Sequence, residues 1–305
     1  MIDECAPWQR LGLKLKLGLR ARSEAEWLPS NDLFGNHAAR AEQIALKTQL
    51  LAKRHQDVFS TMPNTNAAGD EVLAMVRQHL TAYHHNNAQD DNAHDNHAHD
   101  NHPHDDRMAP ADAGLHPLDR AARLVPEDLL LLAPFANAAT DDATAVKWHL
   151  VAASLCFPAH WVLAEKMGKP LAAIHDPVPH YDERLAGPVD RFFDKMTIGP
   201  ISARMNWSLQ IGTDLFTPHR SQRQAAAGDL DNNQLCLRLE NQTLRKLPQT
   251  GFVLFTIRTH IEPVSRWKHT PNALDDLAKM LNNMSRESQS YKGASLYAGA
   301  LTKPS

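Results

Sequence analysis

No apolar run in this chain approaches the roughly 20 residues that a membrane-spanning helix requires, so no transmembrane segment is expected. Cysteine is scarce: Cys5, Cys156 and Cys236 are the only three in 305 residues. An odd number at remote spacings does not make a disulfide framework and suits a reducing compartment, which points to the cytoplasm. There is no CxxC pair, no CxxCH attachment site, no glycine-rich phosphate loop of the dinucleotide or Walker type, no GxSxG elbow and no HExxH helix. The chain therefore carries no visible reductase equipment and none of the common hydrolase or zinc-protease signatures. A basic stripe with interleaved aromatics is missing too, and a net charge of −3 gives nucleic acid no reason to bind.

What is present is the composition of an ordinary folded enzyme, 43% hydrophobic and 22% charged. The length allows one large core with an appended segment. Asp3 and Glu4 interrupt a mildly basic start, and Leu11, Leu13, Leu15, Leu17 and Leu19 alternate as in a strand, so an opening strand near 11–20 is expected rather than a signal peptide. A helix from about 38 to 59 carries Ile44, Thr48 and Leu51 at helical spacing, and a second spans about 70–80. From His84 to Asp106 the chain is almost only His, Asn, Asp and Ala, with nothing large and apolar to bury. Its seven histidines between 84 and 104 give it chemical affinity for transition metals, while the lack of fixed ligand spacing reads as low-complexity expansion. The expected organisation is an N-terminal strand and helices over 1–83, a disordered His-rich linker over 84–114, a catalytic core over 115–285 and a tail over 286–305.

Within the core, Pro158, His160, Trp161 and Leu163, closed by Gly168, read as a short helix. A helix over about 182–196 puts Leu185, Val189, Phe192, Phe193 and Met196 on one face, with Pro188 as a local distortion. Another opens at Thr270 as N-cap, with Pro271 first, then Leu274, Leu277 and Leu281. Three segments alternate with the period of a strand: 201–211, 234–240 and 252–262. The fold class expected is α+β, an antiparallel sheet flanked by helices. If the polar faces of the strands align, Arg204, Asn206, Arg238, Glu240, Arg258 and His260 meet on one surface; a solvated sheet face has the same pattern.

Four segments carry a resemblance: VPEDLLLL at 125–132, ASLCFPAHWVLAEKMGKPLAAIHDPVPHYDERLAGPVDRFF at 153–193, RMNWSL at 204–209 and LRLENQTLRKLPQTGFVLFTIRTHIEP at 237–263. Together they cover most of residues 115–265 and resemble the haem-dependent oxidative N-demethylase alpha-subunit family. The His-rich tract departs from that pattern as a local insertion. The resemblance implies a PAS-like fold with haem b between the sheet and flanking helices. It also implies a monooxygenase reaction with dioxygen on a small methylated amine, typically dimethylamine. Electrons would come from NADPH through a separate reductase subunit carrying FMN and an iron–sulfur centre.

For such a haem, His175 in the string IHDPVP is the first candidate axial ligand, with His260 and His160 in reserve; packing or capping of a helix end is the alternative for His175. Cys156, between Leu155 and Phe157, reads as a buried, inert thiol. Arg204, Arg238 and Arg258, with Asn206, are candidates for the propionates, and surface ion pairs are the alternative use of each arginine. An alkylammonium substrate needs a carboxylate or an aromatic face, for which Glu240, Tyr181 and Trp207 are the candidates. A rival reading is a PAS-like sensor that binds haem or a small ligand without turnover, against which stands the lack of a visible output domain. A third is a metal-buffering protein built on the His-rich tract, which deletion of 84–106 would test.

Overall fold

Strong alternation and β-branched or aromatic side chains make long strands here, and the structure, a computed structural model, describes them within residues 6–12, 18–34, 36, 38–84, 114–136, 146–177, 179, 186–219, 234–294, 297 and 301. The chain runs α1 (Pro7–Leu11), β1 (Arg20–Arg22), α2 (Ala39–Lys53), α3 (His55–Val58), β2 (Phe59–Thr61), α4 (Asn66–Tyr83) and α5 (Pro117–Ala122). It continues through β3 (Asp128–Ala136), β4 (Val146–Ser154), α6 (Leu171–His175), α7 (Gly187–Asp194), β5 (Ile201–Ile211), β6 (Leu235–Lys246), β7 (Val253–Pro263), α8 (Ala273–Asn282) and α9 (Arg286–Lys292). The strands form one antiparallel sheet of seven, in the order β1-β5-β6-β7-β3-β4-β2. The β6–β7 hairpin closes through Leu247 N–H to Phe252 O and Gly251 N–H to Leu247 O, with Gly251 at φ +70°, a left-handed position that glycine takes at no steric cost.

Helices cover both faces. The β4–β5 crossover lays Leu163, Leu171, Ile174, Phe193 and Met196 over Leu130, Leu132, Trp148, Leu150, Leu244 and Val253 on the first face. On the second face, α2, α4 and α5 pack Leu51, Val72, Val76 and Leu118 against Leu129, Leu131, Val151 and Leu254. Beside them, Trp8, Val264, Trp267, Leu277 and Leu281 cover Trp207, Leu209, Leu235, Leu237 and Leu239. Tyr297 joins this layer, its hydroxyl donating to Leu209 O at 3.1 Å. Residues 128–132 show no alternation because both faces of β3 are buried, as a central strand between two helical layers requires.

Several local expectations change. Among the described residues, the strand expected near 11–20 is found at Arg20–Arg22, and 7–11 are helical; 13–17 lie outside the described residues. Pro158–His160 is not helical, because Ala159 bridges Thr217, His160 N–H bonds Thr217 O and His160 itself turns left-handed; in this segment only Leu163–Glu165 makes a 3₁₀ turn. Pro188 falls in the first turn of α7, where a missing N–H costs nothing, so it starts the helix instead of bending it. Helix α8 opens not at Thr270 but at Ala273, after Asn272 turns left-handed at φ 57°. Residues 85–113, which include most of the His-rich tract, and Tyr181 lie outside the described residues. Among the described residues no helix is long and apolar enough to cross a membrane, and no group of three or more His, Cys, Asp or Glu side chains is placed to hold a metal ion.

Candidate active site

Cross-strand partners project to the same face, so the register decides which polar residues can meet. On the first face Arg204 pairs with Gln242, Asn206 with Glu240, and Ser208 with Arg238. Arg258 and His260 pair instead with Asn241 and Leu239, which project to the second face. The six polar residues expected on one surface are therefore split, four on one side of the sheet and two on the other.

Glu240 sits at the centre of the first group. Its carboxylate accepts from Arg238 Nε at 3.1 Å, Gln242 Nε2 at 3.0 Å and Asn206 Nδ2 at 3.3 Å. Arg238 is itself only 1% exposed. Its other nitrogens donate to Phe157 O, Thr259 Oγ1, Gln210 Oε1 and Leu215 O. A guanidinium committed to that many protein acceptors positions Glu240 and the loops above it, which argues against a propionate-binding role.

The loop that receives Arg238 is pinned from below. Asp128, the first residue of β3, accepts from Cys156 N–H at 2.7 Å and Phe157 N–H at 3.0 Å. Burial pushes its carboxyl up to about 6, against the opposing pull of Lys47, these two N–H groups and Arg238. Burial likewise raises the Cys156 thiol to about 12, which keeps it a thiol at neutral pH and agrees with an inert role. Asp128 was missed from sequence, and its only signal was a carboxylate heading an otherwise apolar run, in EDLLLL.

His175 ends α6. Its Nδ1 donates to Leu171 O at 2.8 Å, which leaves the lone pair on Nε2. Burial is the main cause that lowers its pKa, outweighing the backbone bond, and Arg204 and Lys166 lower it further. The pull from Arg204 places that β5 side chain within electrostatic reach of His175. Around them the same face carries half-buried apolar side chains, Trp161, Met167, Val189, Phe192, Phe255 and Ile257, packed against the crossover core. An imidazole, an arginine and a tethered carboxylate thus share a partly covered apolar surface between the crossover helices and the sheet. His160 lies in the loop beside Thr217, at φ 57°, with Nδ1 3.4 Å from His219 O. Trp207 faces the other way, into the second-face core, with Nε1 donating to Gly12 O.

On the second face, His260 Nδ1 lies 2.5 Å from Asp32, and Phe34 packs edge-on against the imidazole. Burial alone would raise the Asp32 carboxyl, but the bond and charge of His260, the Phe34 N–H and Arg258 together bring it below the ordinary value. Arg258 is lowered by burial despite the favourable charges of Glu127 and Asp32.

A family model described as haem-dependent oxidative N-demethylase, alpha subunit-like, matches residues 28–302, nearly the whole chain.

Proposed function

The chain belongs to the haem-dependent oxidative N-demethylase alpha subunit-like family, and from that premise we propose that it is the haem-binding catalytic subunit of a monooxygenase that demethylates a small methylated amine such as dimethylamine. The observation that carries this reading is the first sheet face, where Glu240, held by three donors, and His175 with its neutral imidazole share one half-buried apolar surface. The PAS-like part of the reading rests on strand order: β3 to β7 stand as second-first-fifth-fourth-third, and the β4–β5 crossover lays its helices on one face.

The residues present fit a haem b. His175 offers a nitrogen lone pair on a ring oriented by a backbone carbonyl, as axial imidazoles usually are. Arg204 is the arginine on that face for a propionate, while Arg258 projects to the opposite one. Phe255, Ile257, Val189 and Phe192 provide an apolar surround that limits water. Bound there, the haem would supply the activation of dioxygen and the oxidation of the N-methyl group.

The remaining chemistry falls to this chain. Glu240 offsets the desolvation of an alkylammonium by accepting its N–H bonds, and Arg238, Asn206 and Gln242 fix the carboxylate so that the methyl group is presented in one orientation. The oxidised methyl leaves as formaldehyde. With no reductase signature in the chain, NADPH, FMN and an iron–sulfur centre belong to a separate subunit, and three dispersed cysteines suit the cytoplasm. Steady-state formaldehyde release with reductase, NADPH and dimethylamine tests the role of Glu240. Glu240→Gln should raise the apparent amine KM by roughly 10-fold or more, since a hydrogen bond to a charged group is worth about 1.5–3 kcal/mol. An unchanged KM would remove Glu240 from substrate binding.

A further inference from the structure

A fully buried carboxylate is joined to Glu240 by consecutive bonds. Asp128 accepts one backbone N–H on each oxygen, Oδ1 from Cys156 at 2.7 Å and Oδ2 from Phe157 at 3.0 Å. The carbonyl of Phe157 accepts from Arg238 Nη2, and Arg238 Nε donates to Glu240 Oε1 at 3.1 Å. Phe157 is thus held from both sides, by a carboxylate at its N–H and by a guanidinium at its carbonyl. Phe157 and Arg238 are buried, so solvent does not compete for these bonds.

The line of bonds has little slack. Arg238 meets its other acceptors at longer range, Thr259 Oγ1 at 3.3 Å and Gln210 Oε1 and Leu215 O at 3.5 Å, so the Phe157 carbonyl is its closest anchor. A guanidinium is a rigid plane, so a shift of the carbonyl at Nη2 is passed on to Nε, which faces Glu240. Asp128 holds both N–H groups only when ionised, because protonation turns one acceptor oxygen into a hydroxyl donor. Burial raises its carboxyl to about 6, against Lys47 from α2, Arg238 from β6 and the two N–H groups. The Cys156 thiol beside it stays neutral, with Lys47, Asp128 and Asp119 of α5 the charges acting on it. At neutral pH a buried charge is therefore kept at this position, a combination found at functional sites.

We propose that Asp128 is a positioning residue for the amine site, on the reading of Glu240 as the acceptor of the ammonium: through Phe157 and Arg238 it sets where the Glu240 carboxylate stands. Loss of the Asp128 charge releases one of the two N–H groups, lets the Phe157 carbonyl move and turns the Arg238 fork away from Glu240. Amine affinity then falls although every group that touches the amine is still present.

Steady-state formaldehyde release with reductase, NADPH and dimethylamine tests this, run from pH 5 to 7.5 on wild type, Asp128→Asn, Glu240→Gln and the double variant. Urea denaturation of the same four proteins accompanies it. At pH 7.5 Asp128→Asn should raise the apparent amine KM by roughly 2- to 10-fold, the worth of one hydrogen bond. The ratio of variant to wild-type KM should fall toward one at pH 5, where wild-type Asp128 has taken up its proton as well. At pH 7.5 the variant should also be at least as stable as wild type, having no charge to bury, which separates a positioning role from damage to the fold. In the Glu240→Gln background Asp128→Asn should change KM no further. An unchanged KM in Asp128→Asn, a KM ratio that does not vary with pH, or an increase that persists in the Glu240→Gln background would overturn the proposal and leave Glu240 as the amine's acceptor. A KM unchanged in Glu240→Gln would overturn it together with that reading of Glu240.

Discussion

Replacing Asp128 by Asn should change how stability depends on pH, and the size of the change follows from where Asp128 sits. Its carboxyl is fully buried beneath the Cys156–Phe157 turn, and burial raises it from the ordinary 3.8 to about 6. A carboxyl whose pKa is higher in the folded than in the unfolded chain binds its proton more tightly when folded. The stability it contributes is complete below about pH 4 and is lost as the pH rises to about 6. At roughly 1.4 kcal/mol for each tenfold change in proton affinity, the loss is about 3 kcal/mol. Asn cannot ionise, and its amide nitrogen cannot accept from one of the two N–H groups. Asp128→Asn should therefore be about 1 kcal/mol less stable than wild type at pH 4 and recover about 3 kcal/mol relative to it by pH 7. Urea denaturation of both proteins from pH 4 to 7 measures this. Burial lowers the pKa of His79, His84, His116 and His175, which gives the opposite slope, but the difference between the two proteins cancels that contribution. A difference that stays constant across the range would refute the reasoning.

Lys47 is fully buried, and its ammonium bonds the carbonyls of Val125 and Glu127. Lys47→Met strands both carbonyls and should cost about 3 kcal/mol in urea denaturation, and it should push the Asp128 carboxyl higher still, since Lys47 is the main charge holding it down. An unchanged midpoint would show that water replaces the ammonium. Gly69→Ala ordinarily gains up to about 1 kcal/mol inside a helix, but here the new Cβ would stand 2.9 Å from His116 Cε1 and 3.0 Å from Leu118 N. The melting temperature should fall, and a rise would mean that α4 and α5 separate easily. His175→Ala should lower haem stoichiometry and shift the ferric spectrum; unaltered haem content and spectrum would pass the axial role to another residue.

Strands with clean period-two alternation are legible in the sequence: β5 stands at Ile201–Ile211 as expected, and β7 differs by a single residue at each end. β6 runs on to Lys246, well past the expected end at 240, and β2, β3 and β4 carry no strand expectation, β3 because both of its faces are buried and it does not alternate. Alternation states which residues share a face within one strand, yet it is silent on which faces coincide across strands, because a slip of one residue inverts the set. That is why Arg258 and His260 were grouped with Glu240 and lie on the other side of the sheet. Punctuation by Pro and Gly misled at 158–168, where pairing with Thr217, nearly 60 residues away, outweighs the local helix signal. Contacts such as His260 with Asp32, or Arg238 with the Phe157 carbonyl, join residues remote in sequence and leave no local trace. Glu240 was visible as a carboxylate on a polar strand face, but the three donors that hold it depend on strand register and side-chain geometry that sequence does not give.

The central claim, a haem protein with its amine site near the iron, is tested most directly by the visible absorption spectrum of the purified protein, reconstituted with haem if necessary, before and after dimethylamine. The account predicts a Soret band at one haem per chain that shifts on adding the amine, with the shift weakened in Glu240→Gln. A protein that takes up no haem would contradict it.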